Sequence, residues 1–277
     1  MAAALAQPQL RKDNIDEVLN AMTLEEKASL LVGTSSDNLV PGLAGGTRAI
    51  PRLGIPQTVF SDGPAGVRID PYRDPAHTVA TGFPVGTLLA SSWDIDLVER
   101  TTAVLGNEVL EYGVDVLLAP GMNIHRNPLN GRNFEYFSED PLLSGKMAAA
   151  YVRGIQANGT GTSIKHYAVN NQETNRTEND ALVSRRALRE IYLKNFEIAV
   201  KEGKPWTVMS SYNKLNGKYT QQDYELLTTV LRDEWGYDGI VITDWGLKDN
   251  TVLSVKAGND LMDPGSGVEI ERILAGL

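Results

Sequence analysis

The sequence predicts an α/β fold, a (β/α)8 TIM-like barrel that is incomplete at its C-terminal end. Short apolar runs alternate with longer amphipathic segments along most of the 277 residues, which is typical of βα units. Polar residues follow the ends of several apolar runs, where barrel enzymes assemble their sites. No Gly-x-Gly-x-x-Gly motif follows any run, so a doubly wound open sheet is the weaker alternative. Residues 1–277 are expected to form a single domain.

The predicted strands are six short apolar runs, with a weaker seventh near the C-terminus. They comprise residues 57–61, 87–90, 115–119, 161–165, 206–210, 239–243 and, as the seventh, 260–262. A count of six or seven βα units favours the barrel over the open sheet.

Four amphipathic segments are predicted helices, because apolar residues return every three or four positions. They comprise residues 94–112, 141–157, 184–202 and 223–235. Gly159, Gly203 and Gly236 are expected to end three of these helices in the left-handed conformation. Before the first strand, Thr23 and Glu26 have the spacing of a capping box at the start of a helix.

Composition excludes several classes of function. The 35 acidic and 26 basic residues give a formal charge of −9, which disfavours nucleic acids and anionic membranes as partners. No run approaches the roughly 18 apolar residues of a membrane span, and the N-terminus does not read as a signal peptide, so a cytoplasmic location is expected. There is no cysteine, and the three histidines, at 77, 125 and 166, lack the spacing of a metal site. The oligomeric state is not indicated.

Asp244 is the first candidate for chemistry, because it follows the apolar run 239–243 and precedes Trp245. A carboxylate at this place should emerge at the barrel mouth, although Asp is also a common N-cap for a following helix. Asp62 follows another predicted strand, and two carboxylates at one mouth suit sugar chemistry. Its alternative role is that of a turn residue before a glycine.

Further polar residues are expected at the same mouth. Lys165 and His166 end a third strand, where they could donate to sugar hydroxyls and help to keep Asp244 ionised, or could be structural ion-pair members. Arg132 and Arg176 lie on polar loops, and their forked guanidinium groups suit vicinal hydroxyls or, alternatively, loop salt bridges. Three strand-end residues could form the wall beside a sugar ring or belong to the core: Met209, Tyr212 and Trp245.

Five motif blocks follow one another along the chain. They are Ser61-Asp-Gly-Pro-Ala-Gly-Val-Arg68, Gly131-Arg-Asn-Phe-Glu-Tyr-Phe-Ser-Glu-Asp-Pro141, Ile164-Lys-His-Tyr-Ala-Val-Asn-Asn-Gln-Glu173, Val208-Met-Ser-Ser-Tyr-Asn-Lys-Leu-Asn-Gly217 and Ile242-Thr-Asp-Trp-Gly246. In this order they resemble glycoside hydrolase family 3, the family of many microbial and plant β-glucosidases. The resemblance extends from about residue 24 to about residue 264.

The resemblance implies a retaining β-glucosidase that acts on terminal non-reducing β-D-glucosyl residues of β-glucosides or oligosaccharides, with no metal or organic cofactor. Asp244 takes the place of the nucleophile that forms the covalent glycosyl intermediate. The remaining matched positions fall where the family lines its glucose subsite: Asp62, Arg68, Arg132, Lys165, His166, Arg176, Met209, Tyr212 and Trp245.

The resemblance is to the two-domain branch of the family. The single-barrel N-acetylglucosaminidases carry a catalytic histidine after their Lys-His pair, and residues 167–176 contain none. In the two-domain branch a Glu of a C-terminal α/β sandwich domain is the acid/base, and this chain stops at Leu277, within a helix predicted from near Val268. A fragment of a longer polypeptide is therefore expected. Four internal carboxylates could be proposed as a substitute acid/base, but each is at least as readily explained as a loop ion-pair or capping group: Glu135, Glu139, Glu173 and Asp180.

Two other functions stay open at this point. Lys165 at a strand end could be the Schiff-base lysine of an aldolase-type barrel, although the adjacent His166 and the lack of a phosphate-binding glycine loop argue against it. A non-catalytic sugar-binding fragment is the other alternative.

Overall fold

The computed structural model describes residues 7–34, 43–69, 79–246 and 250–277, so His77 lies outside the described residues. Six regular strands form one sheet, in which each strand lies next to its successor. They are Leu43–Gly46 (β1), Val59–Asp62 (β2), Val116–Leu118 (β3), Gly161–Tyr167 (β4), Thr207–Ser210 (β5) and Ile240–Thr243 (β6). Consecutive strands that neighbour one another are the arrangement expected for βα units.

Strands β2 to β6 are parallel, and β1 is antiparallel to β2. The predicted strands at 57–61, 115–119, 161–165, 206–210 and 239–243 are confirmed to within one or two residues at each end. Most of their apolar side chains are buried because helices cover a parallel sheet, and Ile240 at the start of β6 is an exposed exception. The antiparallel β1, with the sequence Leu-Ala-Gly-Gly, was not predicted.

Single-residue bridges connect the two edges of this sheet. Leu261 pairs with Ile242 of β6, Met262 pairs in parallel with Val32, and Thr34 pairs with Gly46 of β1. The weak seventh strand predicted at 260–262 therefore exists as bridges rather than as a regular strand. The backbone forms a curled sheet whose edges are linked through short extended segments near residues 32–34 and 261–262.

The helices of the α type cover the sheet: Ile15–Ala21, Leu24–Leu30, Gly86–Ser91, Ile95–Glu111, Pro141–Gln156, Thr251–Ala257 and Gly267–Ala275. The helix predicted at 184–202 is a helical region in which α and π segments alternate: Arg185–Ala187, Leu188–Tyr192, Lys194–Ile198 and Ala199–Gly203. The helix predicted at 223–235 is the π helix Glu225–Glu234. Short 3-10 turns lie at Pro51–Leu53 and Thr220–Gln222, and three two-residue strands, Asp180–Ala181, Lys214–Leu215 and Lys218–Tyr219, form a small separate sheet. Thr23 and Glu26 form the predicted capping box.

Two local predictions were wrong. Residues 87–90, predicted as a strand, lie in the helix Gly86–Ser91, because an apolar run this short fits either a strand or a buried helix. Gly203 does not provide a left-handed cap; it ends the helical region, and Lys204 has the positive φ of 53°. Gly203 packs closely against the helix Pro141–Gln156, since a Cβ there would lie 3.1 Å from Ala149 Cα. Gly159 and Gly236 have positive φ as predicted.

The sheet has an apolar cluster on each face. The larger cluster lies between the sheet and the helices and includes Val98, Leu105, Tyr151, Ile164 and Phe196. The smaller cluster contains Phe60, Val116, Leu118, Met209, Ile242 and Leu261. Strand residues alternate between the two clusters, so the smaller one fills the concave side of the curled sheet. Among the described residues, no helix is long and apolar enough to cross a membrane.

Candidate active site

The carboxyl ends of the parallel strands meet at one edge, the mouth. Asp62 is the last residue of β2, Lys165 and His166 are among the last three residues of β4, and Asp244 directly follows β6. Main-chain hydrogen bonds hold these ends together, since Asp244 N donates to Ser210 O at 3.1 Å. The residues that the sequence placed at strand ends therefore converge in space.

Asp244 is buried at this mouth, with a side chain that is 9% exposed. Its Oδ1 accepts a hydrogen bond from Trp245 N at 2.8 Å, and its Oδ2 lies 3.8 Å from His166 Nε2. It does not cap the next helix, because Asn250 is the N-cap of Thr251–Ala257. Burial raises the pKa of Asp244, and Trp245 N–H, Lys165, Arg132 and Tyr212 act in the opposite direction.

Lys165 and Asp62 form an ion pair at the mouth, with Nζ 2.7 Å from Oδ1. Lys165 is buried, whereas the Asp62 side chain is partly exposed. Burial acts to raise the pKa of Asp62, but Lys165, Gly63 N–H and Arg132 outweigh it and lower the pKa. Lys165 is therefore a charged donor that influences both Asp62 and Asp244.

His166 of β4 is almost completely buried at the mouth. Burial, together with the charges of Arg132, Lys165 and Arg176, lowers its pKa well below the usual value. The imidazole is thus neutral and carries no charge that could help to ionise Asp244, which the sequence had suggested as one of its roles. Asn123 fixes its backbone, because His166 N donates to Asn123 Oδ1 at 2.8 Å and Asn123 Nδ2 donates to His166 O at 2.9 Å.

The two predicted arginines each pair with a glutamate of their own loop. Arg132 donates to Glu135, and Arg176 Nη1 lies 2.7 Å from Glu173 Oε2. The Arg176 guanidinium also stacks 5.0 Å from the centre of the Tyr212 ring, a cation–π distance. Both arginines thus stand at the mouth in fixed orientations.

The apolar candidates form one side of the mouth. Met209 belongs to the cluster on the concave side of the sheet, and Trp245 packs against that cluster. Burial and the Asp244 carboxylate raise the pKa of Tyr212, so its hydroxyl stays protonated. Arg68 differs from the other candidates because its side chain is exposed, and its position is marked by its backbone N–H, which donates to Asp62 O at 2.9 Å.

Three polar residues at this site were not singled out from the sequence: Asn123, Tyr136 and Asn170. All are buried behind His166. Tyr136 and Asn170 lie inside two of the motif blocks, which was the one available signal. Their hydrogen bonds to one another and to His166 link residues 30 or more positions apart, so no local spacing could reveal them.

A polar cleft of about 480 Å³ lies beside this site. Asn130, Gly131, Asn171 and Glu173 are among its lining residues. Glu173 also pairs with Arg176, so the cleft and the mouth share a wall. Across the described residues, no group of three or more His, Asp or Glu side chains has the arrangement of a metal site.

The profile of the glycosyl hydrolase family 3 N-terminal domain matches residues 51–271. The chain belongs to glycosyl hydrolase family 3. Its TIM-barrel-like α/β fold is the one that the sequence predicted. A similar solved structure, that of β-glucosidase 3B from Thermotoga neapolitana in complex with glucose, is 53% identical, with a TM-score of 0.92, and the match covers 96% of this chain and 39% of that chain.

Curated relatives are similar over nearly the whole chain. Thermostable β-glucosidase B from Acetivibrio thermocellus is 46% identical over 94% of this chain and 34% of its own length. An exo-α-(1->6)-L-arabinopyranosidase from Bifidobacterium longum is 45% identical over 92% of this chain and 33% of its own length. This family 3 chain therefore spans about a third of the length of these relatives.

Proposed function

We propose that this chain is the sugar-binding barrel of a retaining glycoside hydrolase that releases terminal non-reducing β-D-glucosyl residues, with Asp244 as the nucleophile. The supporting observation is the convergence of Asp62, Lys165, His166 and Asp244 at one mouth. Charged and neutral hydrogen-bond donors lie beside two carboxylates there. The donors and one carboxylate can bind sugar hydroxyls, and the other carboxylate can attack an anomeric carbon.

The reaction would proceed in two displacements. A carboxylate oxygen of Asp244 forms a bond to the anomeric carbon while the bond from that carbon to the leaving oxygen breaks, and an acid protonates the leaving oxygen. Water then attacks the same carbon, its proton passes to the conjugate base, and the bond to Asp244 breaks. Lys165 and Arg132 stabilise the carboxylate that leaves.

The acid/base is proposed to lie in a C-terminal domain of the same polypeptide, because the relatives are much longer than this chain. The four internal carboxylates have other contacts: Glu135 and Glu173 pair with arginines, Asp180 Oδ1 accepts from Gly217 N at 2.9 Å, and Glu139 Oε2 accepts from Ser138 Oγ at 3.3 Å. The ion pair of Lys165 with Asp62 also disfavours a Schiff-base lyase, which needs an uncharged amine.

Asp244→Asn in the polypeptide that includes this C-terminal domain tests the proposal. Hydrolysis of 4-nitrophenyl β-D-glucopyranoside should fall about 10³-fold or more, because the covalent step is lost. The matched control is Asp238→Asn, an exposed aspartate just before β6, at the end of that strand opposite to Asp244. Near wild-type hydrolysis by Asp244→Asn would end the assignment. The α-L-arabinopyranoside is assayed beside the glucoside, since a similar relative carries that name.

A further inference from the structure

A line of buried polar groups runs from Asn170 to Asp244. Asn170 Nδ2 lies 3.4 Å from Tyr136 Oη, Tyr136 Oη lies 3.3 Å from His166 Nδ1, and His166 Nε2 lies 3.8 Å from Asp244 Oδ2. Tyr136 is fully buried, and Asn170 and His166 are nearly so. Buried donors need acceptors, so the direction of each hydrogen bond can be worked out along the line.

The donor and the acceptor can be assigned first for the hydrogen bond between Asn170 and Tyr136. Its Nδ2 lies 3.4 Å from Glu173 Oε1 as well as from Tyr136 Oη. The opposite amide orientation would bring the Asn170 oxygen against the Glu173 carboxylate, which would be repulsive. Arg176 holds that carboxylate in place from its other oxygen. Asn170 is therefore a donor to Tyr136 and leaves the Tyr136 proton free to point elsewhere.

The next step is at Tyr136, which keeps its proton because burial raises the pKa of the phenol. Among the described residues, the acceptor within reach of its hydroxyl is His166 Nδ1. Asn123 Oδ1 also lies 3.3 Å from Nδ1 and competes as an acceptor, but it keeps its bond from His166 N in either tautomer, whereas a proton on Nδ1 would leave the buried Tyr136 hydroxyl without an acceptor among the described residues. The Tyr136 hydroxyl thus donates to Nδ1, which must carry a lone pair.

We propose that Tyr136 is a positioning residue that fixes the tautomer of His166, so that Nε2–H is the donor aimed at the Asp244 carboxylate and at a sugar hydroxyl beside it. This inference rests on the proposed function for its catalytic consequence. The tautomer itself is inferred from the hydrogen-bond contacts of Asn170, Tyr136 and His166 and does not depend on the proposed function. A neutral imidazole with the opposite tautomer would turn a lone pair toward the carboxylate, which would weaken sugar binding and repel Asp244.

The first experiment measures the tautomer by ¹⁵N NMR of the chain labelled at histidine. The three histidines are assigned with His77→Gln and His125→Gln, each of which removes one signal. The expected spectrum of His166 has a protonated Nε2 and an unprotonated Nδ1. A protonated Nδ1 in the wild-type chain would overturn the inference without any variant of Tyr136.

Tyr136→Phe then removes the hydroxyl and keeps the ring. His166 should shift to a mixture of tautomers or to the Nδ1–H form, because Asn123 Oδ1 becomes its nearest acceptor. Tyr151→Phe is the matched control, since Tyr151 is also buried but donates to Pro64 O, away from His166. An unchanged His166 tautomer in Tyr136→Phe would contradict the inference.

The catalytic consequence is measured with 2,4-dinitrophenyl 2-deoxy-2-fluoro-β-D-glucopyranoside. Asp244 attacks the anomeric carbon and dinitrophenolate leaves as an anion, so no protein acid is needed. Labelling of Asp244, followed by mass spectrometry, should slow about tenfold in Tyr136→Phe and stay unchanged in Tyr151→Phe. No labelling of the wild-type chain would count against the proposed nucleophile and leave the NMR result as the test of Tyr136. Equal labelling rates with a changed tautomer would contradict the catalytic role of Tyr136.

Discussion

Asp244 and Asp263 are two buried aspartates whose surroundings differ. Trp245 N–H, Lys165 and Arg132 oppose the effect of burial on the pKa of Asp244. Asp263 has neither charges nor hydrogen-bond donors beside its carboxyl among the described residues, and burial raises its pKa to about 8. The residue with charged neighbours is the one proposed to work as an anion, and the other is neutral below pH 8.

Lys165→Met should move the acidic limb of the pH–rate profile upward. Lys165 lowers the pKa of Asp244, so its removal raises that pKa, and the reactive carboxylate forms only at higher pH. The rate of labelling by the 2-fluoro glucoside is measured against pH, with Lys146→Met as the control because Lys146 pairs with Glu202 on the surface. An acidic limb at the wild-type pH would show that Lys165 does not act on the nucleophile.

Asp263→Asn should change the pH dependence of stability. The folded state keeps the Asp263 proton up to about pH 8, whereas the unfolded chain releases it near pH 4, so stability falls as pH rises through this window. The slope from this group is at most about 1.4 kcal/mol per pH unit. Urea unfolding from pH 4 to pH 8 should show a flatter profile for Asp263→Asn than for the wild type or for Asp238→Asn. Parallel profiles would contradict the buried, unpaired state of Asp263.

At the residue scale the sequence predicted the groups that directly follow apolar runs. Asp244, Lys165 and His166 are examples, because a strand end determines where the next side chain emerges. It did not predict that His166 is neutral or that Tyr136 lies behind it. Both depend on burial and on contacts between distant segments.

At the scale of elements, two glycines let a pair of helices touch. A Cβ on Gly154 would lie 2.0 Å from Thr102 Oγ1, and one on Gly106 would lie 2.6 Å from Ile155 O. The helices Ile95–Glu111 and Pro141–Gln156 therefore pack backbone against backbone. This close approach holds the helix that follows β3, Pro141–Gln156, against the helix that precedes it, Ile95–Glu111.

Gly154→Ala should destabilise the fold by roughly 1–3 kcal/mol, because overpacking exceeds the gain of about 1 kcal/mol in helix propensity. Gly267→Ala is the control, since a Cβ at Gly267, the first residue of Gly267–Ala275, meets no atom within 4 Å. Both free energies of unfolding come from urea titration. A neutral or stabilising effect of Gly154→Ala would mean that the helices can separate at little cost.

Helices and strands were not equally predictable. The long helices Ile95–Glu111 and Pro141–Gln156 were predicted to within a residue, because their apolar stripes persist over several turns. The run at 87–90 was misassigned because four residues are too few to show a period. The π turns in Arg185–Gly203 were also missed, since they leave the apolar pattern almost unchanged.

At the scale of the whole molecule, the curled sheet creates the site. Its parallel order follows from βα alternation and was predicted. The linkage of its edges was not, because it uses the N-terminal residues 32–34, the antiparallel β1 and isolated bridges at 261–262, none of which forms a βα unit. These segments complete the ring of backbone around the mouth.

Asp62 and Asp244, 182 residues apart in the sequence, are proposed to bind one sugar ring at this mouth. A crystal structure of the chain with bound glucose is the decisive experiment. Glucose hydroxyls should contact Asp62, Lys165 and His166, and the anomeric carbon should face the Asp244 carboxylate. Glucose bound instead in the polar cleft beside Asn130 and Asn171, with the mouth empty, would contradict it.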